Sequence, residues 1–211
     1  MSQRRITKVE IDPRRPRWAR VHVEGRSPMR VPSSVVATLC VGQALSPEEV
    51  ARLEEASRTR RALEVALRLL ARRDRSTAEI ERHLQNRGFP ASTVAAVVAI
   101  LTERGWLDDR KFARRWVENR LEHRPRGRLA LAHELRRKGV NASHIEAALA
   151  ELPDEESIAR RAAERFMGRL ASVEDYHTFA RRLSAYLARR GFGWDTIRPV
   201  VDALWAERGQ R

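Results

Sequence analysis

Three glycines stand in one local pattern along this chain: Gly88, Gly139 and Gly191, separated by 51 and 52 residues. Four positions before them lie Leu84, Leu135 and Leu187, and eight before lie Ile80, Leu131 and Leu183. Four after come Ser92, Ser143 and Asp195, each read as a helix N-cap. Apolar residues then recur in register at Val94, Ile145 and Ile197, and again at Leu101, Leu152 and Leu204. Spacings of four and eight place side chains on one helix face, and glycine commonly ends a helix in a left-handed turn. A fixed period with matched helix signals means one supersecondary unit used three times. Stacked helical units build long binding surfaces far more often than catalytic pockets.

The remaining helix signals fit that frame. Ser46-Pro47-Glu48-Glu49 starts a lead-in helix with serine as N-cap and proline in the first turn. It runs through Val50 and Leu53 and continues, or bends near Ser57, into residues 62–73, with Leu63, Ala66, Leu67 and Leu70 as its apolar stripe. Ser76-Thr77-Ala78-Glu79 is a second capping box, opening a helix that Gly88 closes; a third helix runs from Thr93 to about Arg104. The second unit starts at Asp108 or Asp109, runs through Phe112, Trp116 and Leu121, breaks at residues 125–127 and resumes at Arg128. Ser143-His144-Ile145-Glu146 opens its last helix, and Pro153 ends the unit. The third unit is expected over 154–170, 174–190 and 195–207, with Pro199 early enough in its helix to be tolerated.

Upstream, residues 1–5 read as a loose basic arm, and 6–11 and 18–24 as two short strands with Pro13 and Pro16 in the turn. Residues 28–31 suggest a third strand, and Ser33 or Ser34 a cap for a helix from Val35 to Gly42. The expected fold is therefore all-α: a tandem array of three three-helix repeats forming an elongated curved molecule, preceded by a small N-terminal segment containing a β-hairpin. The divisions are 1–45, 46–106 with the lead-in helix, 107–153 and 154–211.

Charge bounds the partners. The 42 basic residues against 28 acidic ones leave a net charge of +14, which favours polyanions or acidic protein surfaces. Codon bias accounts for arginine over lysine, but not for the excess of base over acid. The charge is also uneven, with twelve basic and five acidic residues over 104–139 but no basic and five acidic ones over 141–157. No apolar run is long enough for a membrane span, and the opening residues lack a signal peptide's apolar stretch. A single cysteine, Cys40, excludes an internal disulfide framework and fits a reducing cytoplasm. Its place in the apolar run 35–41 reads as a small core residue.

Residue patterns for chemistry are missing. No P-loop or dinucleotide fingerprint occurs, and His133-Glu134 begins like a zinc-protease motif only for Arg137 to stand where the second histidine is required. The pair Asp108 and Asp109 is read as a helix start. No catalytic residue, cofactor or metal is expected, and the chain is not read as an enzyme. Phe112 and Trp116 share one helix face, as core rather than as a stacking platform for bases. Trp106 and Trp205 are expected to fill gaps between repeats, and Phe89 and Phe192 to make the apolar contact that accompanies a C-terminal cap.

That leaves the arginines. Arg114, Arg115 and Arg120 project from the helix of Phe112 and Trp116; Arg124, Arg126 and Arg128 crowd the break; Arg137 and Lys138 close the next helix. Arg72, Arg73, Arg75, Arg82 and Arg87 hold comparable positions in the first repeat. The helix dipole favours cations in a last turn by about 0.3–1 kcal/mol each, but requires neither so many nor the cluster in the loop. These thirteen residues are the expected partner-binding face.

The stretch Leu107-Asp108-Asp109-Arg110-Lys111-Phe112-Ala113-Arg114-Arg115-Trp116-Val117-Glu118-Asn119-Arg120, with Glu134-Leu135-Arg136-Arg137-Lys138-Gly139-Val140 downstream, resembles the RecX family of RecA-recombinase modulators. Ala66-Leu67, Leu69-Leu70, Arg73, Ser76, Glu79, Leu84 and Gly88 agree with it, so the resemblance covers about residues 60–207. It implies a cytoplasmic, non-enzymatic protein of tandem three-helix repeats; a monomer is expected. Such a protein lodges in the groove of the RecA–DNA filament and restrains ATPase, strand-exchange and co-protease activities in recombination and DNA repair. Its partners would be RecA and filament-bound single-stranded or duplex DNA. Two other classes compete: a direct DNA-binding protein of helix-turn-helix type, and an adaptor without a nucleic-acid link. The first needs a base-reading helix, whereas the third helices here are rich in Ala and Val; the second leaves the charge unexplained.

Overall fold

A computed structural model describes residues 4–37 and 39–209. Among these are ten α-helices and a small N-terminal antiparallel sheet, and the chain separates into two compact units. The first comprises Met1–Arg75 with Ile80–Leu107; the second comprises Ser76–Glu79 with Asp108–Arg211.

The first unit opens with β1 (Arg4–Ile11), β2 (Trp18–Val23), β3 (Met29–Pro32) and β4 (Ala44–Leu45), in the spatial order β3-β2-β1-β4. The short helix α1 (Ser33–Val36) lies between β3 and β4. Val21 and Val23 alternate inward on β2, as a one-sided sheet demands, and join Ile6, Val31 and Leu45 in a core. That core is closed by Val50 and Leu53 from α2 (Pro47–Leu70). Farther along, Ala62, Leu63, Val65 and Ala66 of the same helix pack on Ile80 and Leu84 of α3 (Thr77–Asn86) and on Val97 and Leu101 of α4 (Ala91–Glu103). One helix therefore serves two cores, and it runs unbroken past Ser57, which is buried. The Ser46–Glu49 capping box closes in both directions and fixes its start.

In the second unit, α5 (Asp109–His123), α6 (Arg128–Arg137) and α7 (Ala142–Ala150) enclose Phe112, Val117, Leu131, Leu135, Ile145 and Leu149. A third bundle follows: α8 (Glu155–Met167) with a 3-10 turn over Gly168–Leu170, α9 (Tyr176–Ala188) and α10 (Trp194–Gly209). Ile158, Leu170, Phe179, Leu183, Leu187, Ile197 and Leu204 form its core.

Several expectations need correction. Arg4 and Arg5 are not a loose arm: they pair with Leu45 and Ala44 of β4, a strand the sequence reading missed. Residues 1–3 lie outside the described residues. The helix expected from Val35 to Gly42 stops at Val36. The chain instead returns to β1, where Gly42 N–H donates to Ile6 O and Ile6 N–H to Gln43 O. Sheet pairing overrides a run too short to propagate as a helix. Cys40 is consequently exposed, not core. Ser92, Ser143 and Asp195 are not N-caps, because α4, α7 and α10 start earlier. Asn141 caps α7, accepting from His144 N–H, and Ser143 Oγ donates to that same cap. Trp106 is 48% exposed, with the Arg104 guanidinium 5.2 Å from its ring centroid, so it fills no gap. Trp205 packs inside the third bundle on Phe179 and Tyr176.

Candidate interaction surface

The geometry that places the arginines begins at the three glycines. Each has a positive φ: +80° at Gly88, +78° at Gly139 and +82° at Gly191. The bonds repeat too. Gly88 N–H donates to Gln85 O and Phe89 N–H to Leu84 O; Gly139 and Val140 bond to Arg136 O and Leu135 O; Gly191 and Phe192 bond to Ala188 O and Leu187 O. These are three copies of the six-to-one, five-to-two closure that satisfies carbonyls at a helix end. Val140 and Phe192 are buried behind their glycines, and Phe89 is partly buried.

Inside the second unit two of these ends are also docking points. A Cβ on Gly139 would strike the Ala78 methyl, and one on Gly191 would strike the backbone and methyl of Ala130. A Cβ on Gly127 would strike Gly191 O. Hydrogen bonds run beside both contacts: Ser76 Oγ donates to Lys138 O, and Gly127 N–H donates to Arg190 O at 2.9 Å. Arg190 returns a bond to Pro125 O at 3.2 Å. The break at residues 125–127 is thus a buried foot on the end of α9, and arginines flank it because it leaves and re-enters the surface there.

The thirteen expected residues divide by environment. Arg120 and Arg126 converge on Glu134, whose side chain is 18% exposed. Arg120 Nε donates to Glu134 Oε2 at 2.8 Å, and Trp116 Nε1 donates to the same oxygen at 2.9 Å. Arg126 Nε lies 2.9 Å from Oε1, but its N–H is not aimed along that line, so this contact is ionic. Lys138, 17% exposed, pairs with Glu79 at 3.2 Å. Trp116 carries Arg120 and Lys138 on its ring, each 4.2 Å from the centroid, and stacks on buried Phe112 at 6.0 Å. Cation–π contact of this kind contributes about 0.5–2 kcal/mol. Arg120, Arg126 and Lys138 are therefore half-buried and engaged within the fold.

Arg115, Arg124, Arg128 and Arg137 are exposed in the second unit, as is Arg114, which reaches Glu151 at 2.7 Å. Such an exposed pair contributes about 0–1 kcal/mol and yields readily to a competing anion. In the first unit Arg72, Arg73, Arg82 and Arg87 are exposed and Arg75 is half-buried. Arg87 Nε donates to His83 Nε2 at 3.1 Å. Burial first, then the charges of Arg87 and Arg75, hold the His83 pKa below its ordinary value, which favours the neutral ring that accepts that bond.

Sequence reasoning missed Glu134 as the hub of this cluster; its only sequence signal was a lone acid among basic residues at 124–138. It also missed a use for arginine in the third bundle. Arg161 and Arg165 of α8 donate to Leu121 O, Glu122 O and His123 O at the end of α5, and Arg208 donates to Leu170 O and Ala171 O. Asp108 caps α5 by accepting from Lys111 N–H, and that bond foremost holds its carboxyl below the usual range. Asp109 accepts from Thr77 N–H at 2.8 Å. Both aspartates serve helix starts. Among the described residues no group of His, Cys, Asp and Glu is arranged to hold a metal ion, and no helix is long and apolar enough to cross a membrane.

The fold and its charged surface define a class: tandem three-helix-repeat proteins with an arginine-rich exterior. Residues 62–101, 108–149 and 154–201 match the first, second and third three-helix domains of RecX. Similar curated proteins are named Regulatory protein RecX. That of Mycolicibacterium smegmatis is 38% identical over 74% of this chain and 85% of its own length. That of Mycobacteroides abscessus is 40% identical over 78% and 82%, and that of Chlorobaculum tepidum 35% identical over 71% and 92%. The fold is shared with a crystal structure of regulatory protein RecX at a TM-score of 0.76 and 21% identity, covering 94% of this chain and 99% of that one. A RecX structure from Lactobacillus salivarius gives 0.63 at 20% identity, over 71% and 97%. This chain belongs to the RecX family.

Proposed function

We propose that this chain is a non-enzymatic modulator, mainly an inhibitor, of the RecA recombinase. It acts in the cytoplasm as a monomer and binds the RecA–DNA filament, restraining ATPase, strand exchange and co-protease functions. The observation that carries this reading is family membership through all three helical domains. Exposed arginines supply the contacts: Arg114, Arg115, Arg124, Arg128 and Arg137 on the second unit, and Arg72, Arg73, Arg82 and Arg87, joined by half-buried Arg75, on the first. Arg120, Arg126 and Lys138 act indirectly, by holding α5 and α6 in register around Glu134 and Trp116. Many weak ionic contacts give an affinity that falls steeply with salt.

Direct base reading has less support. The exposed residues of α4 include Ala91, Ser92, Ala95 and Ala99, and those of α7 include Ala142, Ser143, Glu146 and Ala150. Neither face carries the Arg, Asn or Gln that recognises base edges. The test is RecA ATPase on single-stranded DNA with this protein titrated in. Inhibition is expected, and an Arg124→Glu, Arg128→Glu, Arg137→Glu variant with a native melting curve should lose it. A flat response at excess wild-type protein overturns the reading. Retained inhibition by the folded variant overturns the assignment of those residues.

A further inference from the structure

The first unit contains a cavity of about 470 Å³ that the partner surface above does not use. One wall is the turn between β2 and β3; the other is a stripe of α2 made by Glu54, Ser57, Arg58 and Arg61. Their spacing of three, four and seven residues puts them on one helix face. Arg26 and Arg30 line it from the turn side and Arg58 and Arg61 from the helix, with Glu54 as the one lining carboxylate. The turn is braced rather than loose. Arg26 N–H donates to Val23 O at 3.0 Å, Arg4 Nη1 donates to Glu24 O at 2.8 Å, and Gly25 takes φ +67°. Arg30 is steadied by the Trp18 ring, 5.2 Å from its guanidinium.

A guanidinium carries five N–H donors, and the partners present satisfy few of them. Arg26 meets Glu54 through Nε at 3.5 Å, and Arg30 meets Asp12 through Nη2 at 3.7 Å. Arg58 gives Nε and Nη2 to Glu55, leaving Nη1. Arg61 is exposed and shares the helix stripe with Arg58. Arg30 also stands directly across from Arg20 on β2, a like-charge pair of the kind that destabilises a sheet. Arginines on two walls of one cavity offer the forked donors that a phosphate accepts in bidentate bonds. The volume falls in the range of small-ligand sites, and Pro28 and Met29 add an apolar side for a sugar or base.

We infer that this cavity binds the phosphate of a nucleotide, either free or within a nucleic-acid strand. The inference does not rest on the RecA reading, and its test contains no RecA. The full-length protein is titrated calorimetrically at low salt with inorganic pyrophosphate, with ATP and with short oligo-deoxythymidine. Saturable binding is expected. Arg26→Ala with Arg61→Ala should weaken it by roughly tenfold or more, the loss expected for charge-assisted hydrogen bonds. Arg52→Ala with Arg68→Ala removes the same charge from exposed positions of α2 outside the cavity and should change it less than about twofold. Arg61→Glu alone, with an unchanged melting curve, should reproduce the loss. Oligonucleotide that competes with ATP assigns the site to a strand, and binding of ATP without such competition assigns it to a free nucleotide. No saturable binding by any probe overturns the inference, as does equal weakening by the two arginine pairs.

Discussion

The end of α3 and the end of α9 share a sequence pattern, a positive φ and a hydrogen-bond scheme, yet they are differently constrained. At Gly88 a Cβ would meet nothing within 4 Å, so only the backbone turn requires glycine. At Gly191 the turn requires it and so does the neighbouring chain, because a Cβ there would strike Ala130, and Gly127 sits against the Gly191 carbonyl. One helix end is closed by local bonds alone; the other is closed and then locked against a second element. A glycine at a stop therefore reports a turn, and only the surroundings tell whether it also marks a joint.

That difference can be measured as unfolding free energies from denaturant titration. Gly191→Ala and Gly127→Ala should be the most damaging changes. At Gly191, left-handed strain of about 1–2 kcal/mol adds to an overpacking cost of about 1–3 kcal/mol; at Gly127 the collision alone operates, against a backbone carbonyl that cannot step aside. Gly139→Ala should follow at about 2–4 kcal/mol from the same two causes. It offers a sharper test, since the obstructing atom is chiefly the Ala78 methyl. Ala78→Gly should recover the collision part there, whereas Ala130→Gly should not rescue Gly191→Ala, because Ala130 backbone atoms are equally close. Equal rescue at both sites would break the distinction.

Glu134→Ala should cost about 1–3 kcal/mol, because it strands Arg120, Arg126 and the Trp116 N–H in a half-buried cluster. A cost near zero would mean that solvent already satisfies these groups. Gly88→Ala should cost only about 1–2 kcal/mol, the strain of the turn without a joint. A loss as large as at Gly191 would show that φ, not packing, governs all three stops.

The smallest effect is an acid-dependent one at the start of α5. Lys111 N–H holds the Asp108 carboxyl below its usual range in the folded state. A depressed pKa contributes stability that is fully present above the unfolded value of about 3.9 and is lost as pH falls through the folded one. Asp108→Asn should flatten that part of the acid unfolding profile while leaving stability near neutral pH close to wild type, since asparagine also caps well. An unchanged acid slope would remove Asp108 from the account.

How much was legible before the structure varied with the range of the forces involved. The capping boxes at Ser46 and Ser76, the cap at Asp108 and the three glycine closures are short-range bonds, and each lies where its residues announce it. The N-caps of α4, α7 and α10 were misplaced for a related reason. The closure of one helix carries the chain directly into the next, and Asn141 stood nearer than Ser143. β4 was invisible because two residues carry no period of their own, and pairing with Arg4 and Arg5 defines them. Among the thirteen basic residues, charge and spacing were equal in the sequence. Only burial separates Arg120, Arg126 and Lys138 from Arg124, Arg128 and Arg137.

The sequence by itself determined the repeat, the helix boundaries that local capping enforces, the excess of positive charge and the family pattern around residues 107–120. These follow from interactions spanning a few residues, or from composition. The tertiary structure alone decided that one helix would serve two cores, that Gly127 and Gly191 would form a joint, and which arginines would face solvent. Those outcomes depend on which surfaces meet, and residues as far apart as Pro125 and Arg190 come within a hydrogen bond only after the chain has packed.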